Sequence, residues 1–209
     1  IILSPDSFRI THTSTNNADI LDFNINATLK NIFSRTASTQ ATNDAVPLSA
    51  LAIELLTDGA PAIPSPTMDE SYTINLKTPS AKLSCNEVYG CVRGLETFSQ
   101  LLQMNRDYVI QQGEDLTIKD APNFPYRGLM LDPARHFMTV KEIKSTMDAM
   151  AQNKLNVLHL HLTDGEAFTI NTEEYEKYPD LGAKGSYHKS LTYKKSDIKA
   201  IVTRGRMLG

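Results

Sequence analysis

Between Tyr126 and Asp164 the chain spells strand, helix, strand, and that order leaves few folds open. Tyr126-Arg-Gly-Leu-Met-Leu-Asp-Pro-Ala-Arg-His-Phe-Met138 is a short apolar run ending in charged groups, and Leu155-Asn-Val-Leu-His-Leu-His-Leu-Thr-Asp164 is a second. Between them Val140, Ile143, Met147 and Met150 recur at helical spacing. Thr139 and Glu142 make a capping box at the start of that helix, and Asn153 suits a left-handed stop at its end. The unit predicts two parallel strands, over residues 127–131 and 155–162. In parallel α/β proteins functional groups gather where the strands finish. Arg135 and Asp164, 29 residues apart, are therefore expected in neighbouring loops on one rim, able to grip one ligand.

The residues before this unit follow another grammar. Segments 51–56, 72–76 and 81–84 read as strands, 25–33 as a short helix and 87–103 as a longer one. On the longer helix Val88, Cys91, Val92, Leu95, Phe98 and Leu102 share a face, while Gly90 and Gly94 permit close approach to a sheet. Residues 11–17 and 35–44 read as polar loops, and 61–66 as a proline-rich connector. The expected architecture is a small α+β domain, an antiparallel sheet covered by helices. Asp120-Ala-Pro-Asn-Phe-Pro125 reads as a junction, so domains are predicted over 1–123 and 124–209. After the second strand comes a long polar loop, 163–195, and Ser196 is the expected cap of a last helix carrying Ile198, Ile201 and Val202. Two βα units occupy the C-terminal part, whereas a closed (β/α)8 barrel takes roughly 250 residues. An incomplete barrel is the expectation.

Composition excludes more than it selects. A net charge of −3 gives no reason to expect a nucleic-acid partner, and no apolar run approaches the roughly 20 residues of a membrane span. The opening residues show no signal peptide. Cys85 and Cys91 are expected as buried free thiols, with a short-loop disulfide as the alternative. Asn26-Ala-Thr28 is a candidate glycosylation sequon at Asn26.

Three segments carry a family resemblance. Arg127-Gly-Leu-Met-Leu-Asp-Pro-Ala-Arg-His-Phe137 resembles the first barrel strand of family 20 β-N-acetylhexosaminidases, and Asn153-Lys-Leu-Asn-Val-Leu-His-Leu-His-Leu-Thr-Asp164 resembles the second. Val88-Tyr-Gly-Cys-Val-Arg-Gly-Leu-Glu-Thr-Phe-Ser-Gln-Leu101 resembles the signature helix of the small domain preceding that barrel. The resemblance extends over residues 72–209 and is loose before them. It implies a (β/α)8 TIM barrel whose first two βα units lie here, and removal of terminal β-linked N-acetylglucosamine or N-acetylgalactosamine with retention. The substrate's own acetamido oxygen attacks in such enzymes, with no cofactor and no metal. Arg135 would bind hydroxyls of the terminal sugar. Asp164 would support the site, pairing with a His from a later loop. The catalytic acid and its orienting carboxylate form an adjacent Asp-Glu in a Gly-Gly-Asp-Glu-like motif; nothing here matches it, so both are expected after Gly209 and the 209-residue chain alone is expected to be inactive. The family's animal lysosomal members carry alanine-like residues where Cys85 and Cys91 stand, which favours free thiols. The resemblance further implies a lysosomal, vacuolar or secreted enzyme acting on glycans or glycoconjugates, often a homodimer. Three positions depart from the pattern: Leu160 replaces a Trp, Gly165 the second Asp of an Asp-Asp, and Pro133 a small residue or Thr.

The residues also admit plainer readings. Arg135 could be a structural ion pair between strands, and Asp164 a loop-capping carboxylate. His136 reads as an orienting neighbour of Arg135, and His161 as a further support of the site. His159 and His161 fall on one face of a strand, as a metal pair of a barrel hydrolase or as hydrogen-bonded inner-face residues. Arg127, at the opposite strand end, reads as structural. A truncated, non-catalytic paralogue is a third alternative.

Overall fold

The computed structural model describes residues 1–34, 47–59, 62–104, 108–110 and 115–209. They fall into two compact units, Ile1–Pro125 and Tyr126–Gly209. The predicted loop over 35–44 and the first residue of the proline-rich connector lie outside the described residues.

The first unit contains β1 (Ile2–Leu3), β2 (Arg9–His12), α1 (Ala18–Ile32), β3 (Pro47–Leu48), β4 (Ala50–Leu55), β5 (Tyr72–Lys77), β6 (Ser80–Cys85), α2 (Val88–Gln100), β7 (Gln103–Met104), β8 (Tyr108–Val109) and β9 (Asp115–Asp120). Its larger sheet runs β2-β4-β6-β5-β9, and a smaller one runs β3-β1-β8-β7. The larger sheet is mixed, which corrects the antiparallel expectation: β2, β4 and β6 are parallel, while β5 is antiparallel to both β6 and β9. β6, the returning strand of the β5–β6 hairpin, lies beside β4 and so runs parallel to it; α1, which starts seven residues earlier than 25–33 implies, accounts for the β2–β4 pair. A helix of 15 residues returns the chain to the end from which β2 began, so β4 must run alongside β2. Strand periodicity reports faces, not direction.

Alternation along β5 and β6 buries Tyr72, Ile74, Leu76, Ala81, Leu83 and Cys85 on one face. α2 lies against these strands and against α1, with Tyr89, Cys91, Val92, Leu95 and Phe98 buried; burial of each of the larger apolar side chains contributes roughly 1.5–3 kcal/mol. The helix lies close to the sheet because two positions lack side chains. A Cβ at Gly90 would meet the Ser71 carbonyl oxygen at 2.5 Å, and one at Gly94 the Leu83 Cδ1 at 2.4 Å. The same proximity overturns the free-thiol expectation: Cys85 and Cys91 form a disulfide, with Cα atoms 5.3 Å apart. Cys85 ends β6, a two-residue turn follows, and the first turn of α2 brings Cys91 back over the strand end.

A second anchor joins α1 to the loop after β4. The Asp58 carboxylate accepts hydrogen bonds from the Thr15 amide (2.7 Å), the Ser14 hydroxyl (2.9 Å), the Asn17 amide group (3.1 Å) and the Asn16 amide (3.3 Å). These donors, the Thr15 amide first, hold its pKa down at about 2, against 3.8 for an ordinary Asp.

The second unit contains β10 (Gly128–Leu131), α3 (Val140–Gln152), β11 (Val157–Leu160), α4 (Leu181–Gly185) and α5 (Lys195–Leu208). β10 and β11 are parallel, in register from Gly128 opposite Val157 to Leu131 opposite Leu160. The capping box forms as expected: Thr139 Oγ1 accepts from the Glu142 amide (3.3 Å), and the Glu142 carboxylate accepts from the Thr139 amide (2.6 Å). The left-handed residue after α3 is Lys154 (φ 57°), one position beyond the expected Asn153 (φ −101°). α5 begins at Lys195, and the Asp197 carboxylate, rather than Ser196, holds its first turn by accepting from the Lys194 amide at 2.9 Å. Ile143, Met147, Tyr193 and Ile201 form the core, with Leu131, Leu158 and Leu160 packed against it. Arg127 is structural, its Nε donating to the Lys154 carbonyl at 2.6 Å.

Gly90→Ala is expected to destabilise the first unit by about 1–3 kcal/mol, because the added methyl meets backbone rather than a movable side chain; the urea midpoint should fall with its slope unchanged. Asp58, at about 2 folded against 3.8 unfolded, stabilises the fold above its unfolded pKa, and that contribution is lost as pH falls towards about 2. Asp58→Asn should therefore narrow the difference in thermal midpoint between neutral and strongly acidic pH.

Candidate functional site

The register of β10 and β11 carries the site. Both strands end level, so the loops that follow start side by side, and they are stitched there: the His161 amide donates to the Leu131 carbonyl (2.9 Å) and the Ala134 amide to the His161 carbonyl (3.2 Å). Arg135 stands on the first loop and Asp164 on the second, with Nη1 to Oδ2 at 3.0 Å. Two residues distant in sequence thus meet on one rim, as expected.

Asp132 completes the grip and was not singled out from sequence. Its carboxylate accepts from the Arg135 amide (3.1 Å) and from Arg135 Nη1. The signal was present: an Asp three residues before an Arg in a loop after a strand can cap the turn and pair with the guanidinium together. The Arg135 side chain is 59% exposed. Of its five N–H donors, those of Nη1 face the two carboxylates, and the others make no hydrogen bond among the described residues.

Asp164 serves two neighbours. Its Oδ1 accepts from the Glu166 amide (2.7 Å) and the Ala167 amide (3.2 Å), closing the turn. Its Oδ2 faces Arg135 and lies 3.4 Å from His161 Nε2. Neither contact has hydrogen-bond angles, so Oδ2 and His161 Nε2 are both buried atoms with no hydrogen bond among the described residues. The loop-capping reading of Asp164 and the ion-pair reading of Arg135 therefore both hold, each at a different oxygen of Asp164. Gly165 faces open space; a Cβ there would meet nothing within 4 Å.

Arg135 and the two carboxylates favour one another's charged forms. The Glu166 amide, then the Ala167 amide and Arg135, hold the Asp164 carboxyl below the ordinary Asp value of 3.8, against the opposing effect of burial. The Arg135 side chain does the same for Asp132, and Asp132 in turn raises the Arg135 pKa.

The remaining candidates are placed differently. His136 is exposed, and its imidazole acts electrostatically on Glu142; only its amide joins the loop, donating to the Asp132 carbonyl at 3.2 Å. The rings of His159 and His161 have centroids 6.5 Å apart. As placed, they are too far apart to share one ion at zinc–nitrogen bonds of about 2.0–2.1 Å. Among the described residues the group with metal-ligand spacing is instead Asp132, His161 and Asp164. It fits a metal poorly, because the Arg135 guanidinium already occupies the cation position between the two carboxylates. Asn26 is exposed but lies inside α1, and Thr28 of its sequon is only 8% exposed.

The loop after β11 is built rather than irregular. Thr163 bridges Phe168 and Ile170 bridges Tyr193. The Thr172 hydroxyl donates to the Pro179 carbonyl (3.1 Å) and accepts from the Gly182 amide (2.9 Å), fixing α4.

Two family models match the chain: "Glycosyl hydrolase family 20, catalytic domain" over residues 124–209, and "beta-acetyl hexosaminidase like" over residues 1–101. The chain is 41% identical over 168 residues to the β-hexosaminidase subunit beta of Felis catus, covering 80% of this chain and 31% of that protein. It is 42% identical over 148 residues to the Homo sapiens subunit beta, covering 71% and 26%. Among solved structures it is similar to a Flavobacterium johnsoniae chitobiase, with a TM-score of 0.80 at 28% identity over 99% of this chain and 30% of the other. A Vibrio harveyi exo-β-N-acetylglucosaminidase, at 22% identity and a TM-score of 0.67, shares the fold over 97% of this chain and 31% of its own. The chain thus spans under a third of the length of each of these four proteins.

Carboxyl titration by NMR should place Asp132 and Asp164 below 3.8. In Arg135→Ala the Asp132 midpoint should rise further than that of Asp164, whose depression comes first from backbone amides.

Proposed function

The chain belongs to glycosyl hydrolase family 20, and from that membership we propose that it is the amino-terminal part of a β-N-acetylhexosaminidase. The protein removes terminal, non-reducing β-linked N-acetylhexosamine from glycans or glycoconjugates by a retaining, substrate-assisted reaction. Residues 1–123 form the small domain preceding the barrel, and 124–209 the first two βα units of a (β/α)8 barrel. Arg135 binds adjacent hydroxyls of the terminal sugar with the N–H groups of its fork that the carboxylates do not engage. Asp164 and Asp132 hold it in place, and His161 backs Asp164. The carboxyl pair that performs the chemistry lies in sequence after Gly209.

One observation carries this reading: a half-exposed guanidinium clamped by carboxylates from two strand ends. A clamp of this kind leaves the arginine oriented before substrate arrives. The relatives named β-hexosaminidases support the activity, and the buried Asp164 Oδ2 can accept one further donor. The Cys85–Cys91 disulfide suits an oxidising compartment, in keeping with a lysosomal, vacuolar or secreted enzyme.

The whole protein should release a chromogenic group from a β-N-acetylglucosaminide with retention, seen by NMR of the first-formed anomer. Arg135→Ala in that protein should lower kcat/KM by about a hundredfold or more, the loss of two charge-assisted hydrogen bonds. The isolated 209-residue chain should show no turnover; measurable release by it would contradict the placement of the catalytic pair.

A further inference from the structure

The contact between Arg135 and Asp164 is exposed on one side, and such a pair holds two loops together only weakly. The backbone bonds at Leu131, Ala134 and His161 join the two loops at their bases, so something else must hold their farther parts, 135–138 and 165–169. Tyr193, at the far end of the long loop, touches both.

Its backbone takes the hairpin. The Tyr193 amide donates to the Thr169 carbonyl at 2.7 Å, and its carbonyl accepts from the Asn171 amide at 2.8 Å. Thr169 continues to the strand end, its amide (3.0 Å) and hydroxyl (2.8 Å) both donating to the Leu162 carbonyl, two residues before Asp164. The side chain takes the other loop. The Tyr193 hydroxyl donates to the Met138 carbonyl at 2.5 Å, and its ring stacks on Phe137 at 4.8 Å between centroids, two residues after Arg135. The residue is 1% exposed and sits in the core with Ile143, Met147 and Ile201. One buried side chain therefore joins, through short covalent paths, the two loops that present the cation and the anion.

We infer that Tyr193 is a positioning residue that fixes the separation of Arg135 and Asp164, and through it the fit of the terminal sugar. The inference rests on the proposed sugar-binding role of Arg135. Burial pushes the phenol up to about 12, so the hydroxyl keeps its proton, and its donated bond, across neutral pH.

Tyr193→Phe, made in the whole protein, keeps the ring and removes only the hydroxyl. KM for a chromogenic β-N-acetylglucosaminide should rise about five- to tenfold, the size of one ordinary hydrogen bond, with kcat nearly unchanged. The same substitution in an Arg135→Ala background should add little to the loss already present, because the two act as one unit. Phe137→Leu, which thins the stack and spares the hydroxyl bond, should raise KM in the same direction by less. A lower thermal midpoint with KM unchanged in both single variants would overturn the inference and leave the activity intact. Additive effects of Tyr193→Phe and Arg135→Ala would overturn it too. A whole protein that does not hydrolyse the substrate would overturn the activity reading, and the inference with it.

Discussion

Parallel pairing of β10 with β11 is the constraint on which the rest of the site depends. Four residues on each strand are in register, and both ends are pinned. At the start, the Arg127 amide donates to the Asn156 side chain at 3.0 Å and Arg127 Nε to the Lys154 carbonyl at 2.6 Å. At the finish, the His161 amide donates to the Leu131 carbonyl and the Ala134 amide to the His161 carbonyl. A slip of one residue would turn every side chain of β11 to the other face, moving His161 and Asp164 away from Arg135 together. The site is therefore a property of register before it is a property of charge.

Charge then decides what the rim can hold. A cation flanked by two carboxylates is a closed electrostatic set: Arg135 favours the charged form of both Asp132 and Asp164, and both favour the charged form of Arg135. That set leaves little attraction for a divalent ion, while the N–H groups of Arg135 that the carboxylates do not engage stay available to neutral acceptors such as sugar hydroxyls. Asp164 manages two tasks because a carboxylate has two oxygens: one closes its own turn, the other faces the arginine. Tyr193, in the core beneath, lets a partly exposed site rest on a buried frame.

Much of the second unit was legible from sequence. The helical spacing of Ile143, Met147 and Met150, the Thr139–Glu142 cap and the two apolar runs correctly located β10, α3 and β11. Arg135 and Asp164 followed from the rule that strand ends carry function. Less was legible where a partner decides the outcome. The thiols of Cys85 and Cys91 looked like free core residues, because a strand end and a helix six residues on reveal nothing of the gap between them. Asp132 was overlooked beside a more conspicuous arginine. His136 stands next to Arg135 in sequence and acts electrostatically on Glu142 in space. The mixed sheet of the first unit was not legible because strand periodicity shows neither that β6 pairs with β4 nor that α1 is a crossover between β2 and β4.

By itself the amino-acid order determined which segments are strands and helices, which faces are apolar and which charged groups sit at strand ends, because these follow from periodicity and local hydrogen bonding within a few residues. Only the tertiary structure decided strand direction, the disulfide, the carboxylates that hold Arg135 and the clamp made by Tyr193. Each of those depends on a distance between groups far apart along the chain, and such a distance exists only once the core has closed around it.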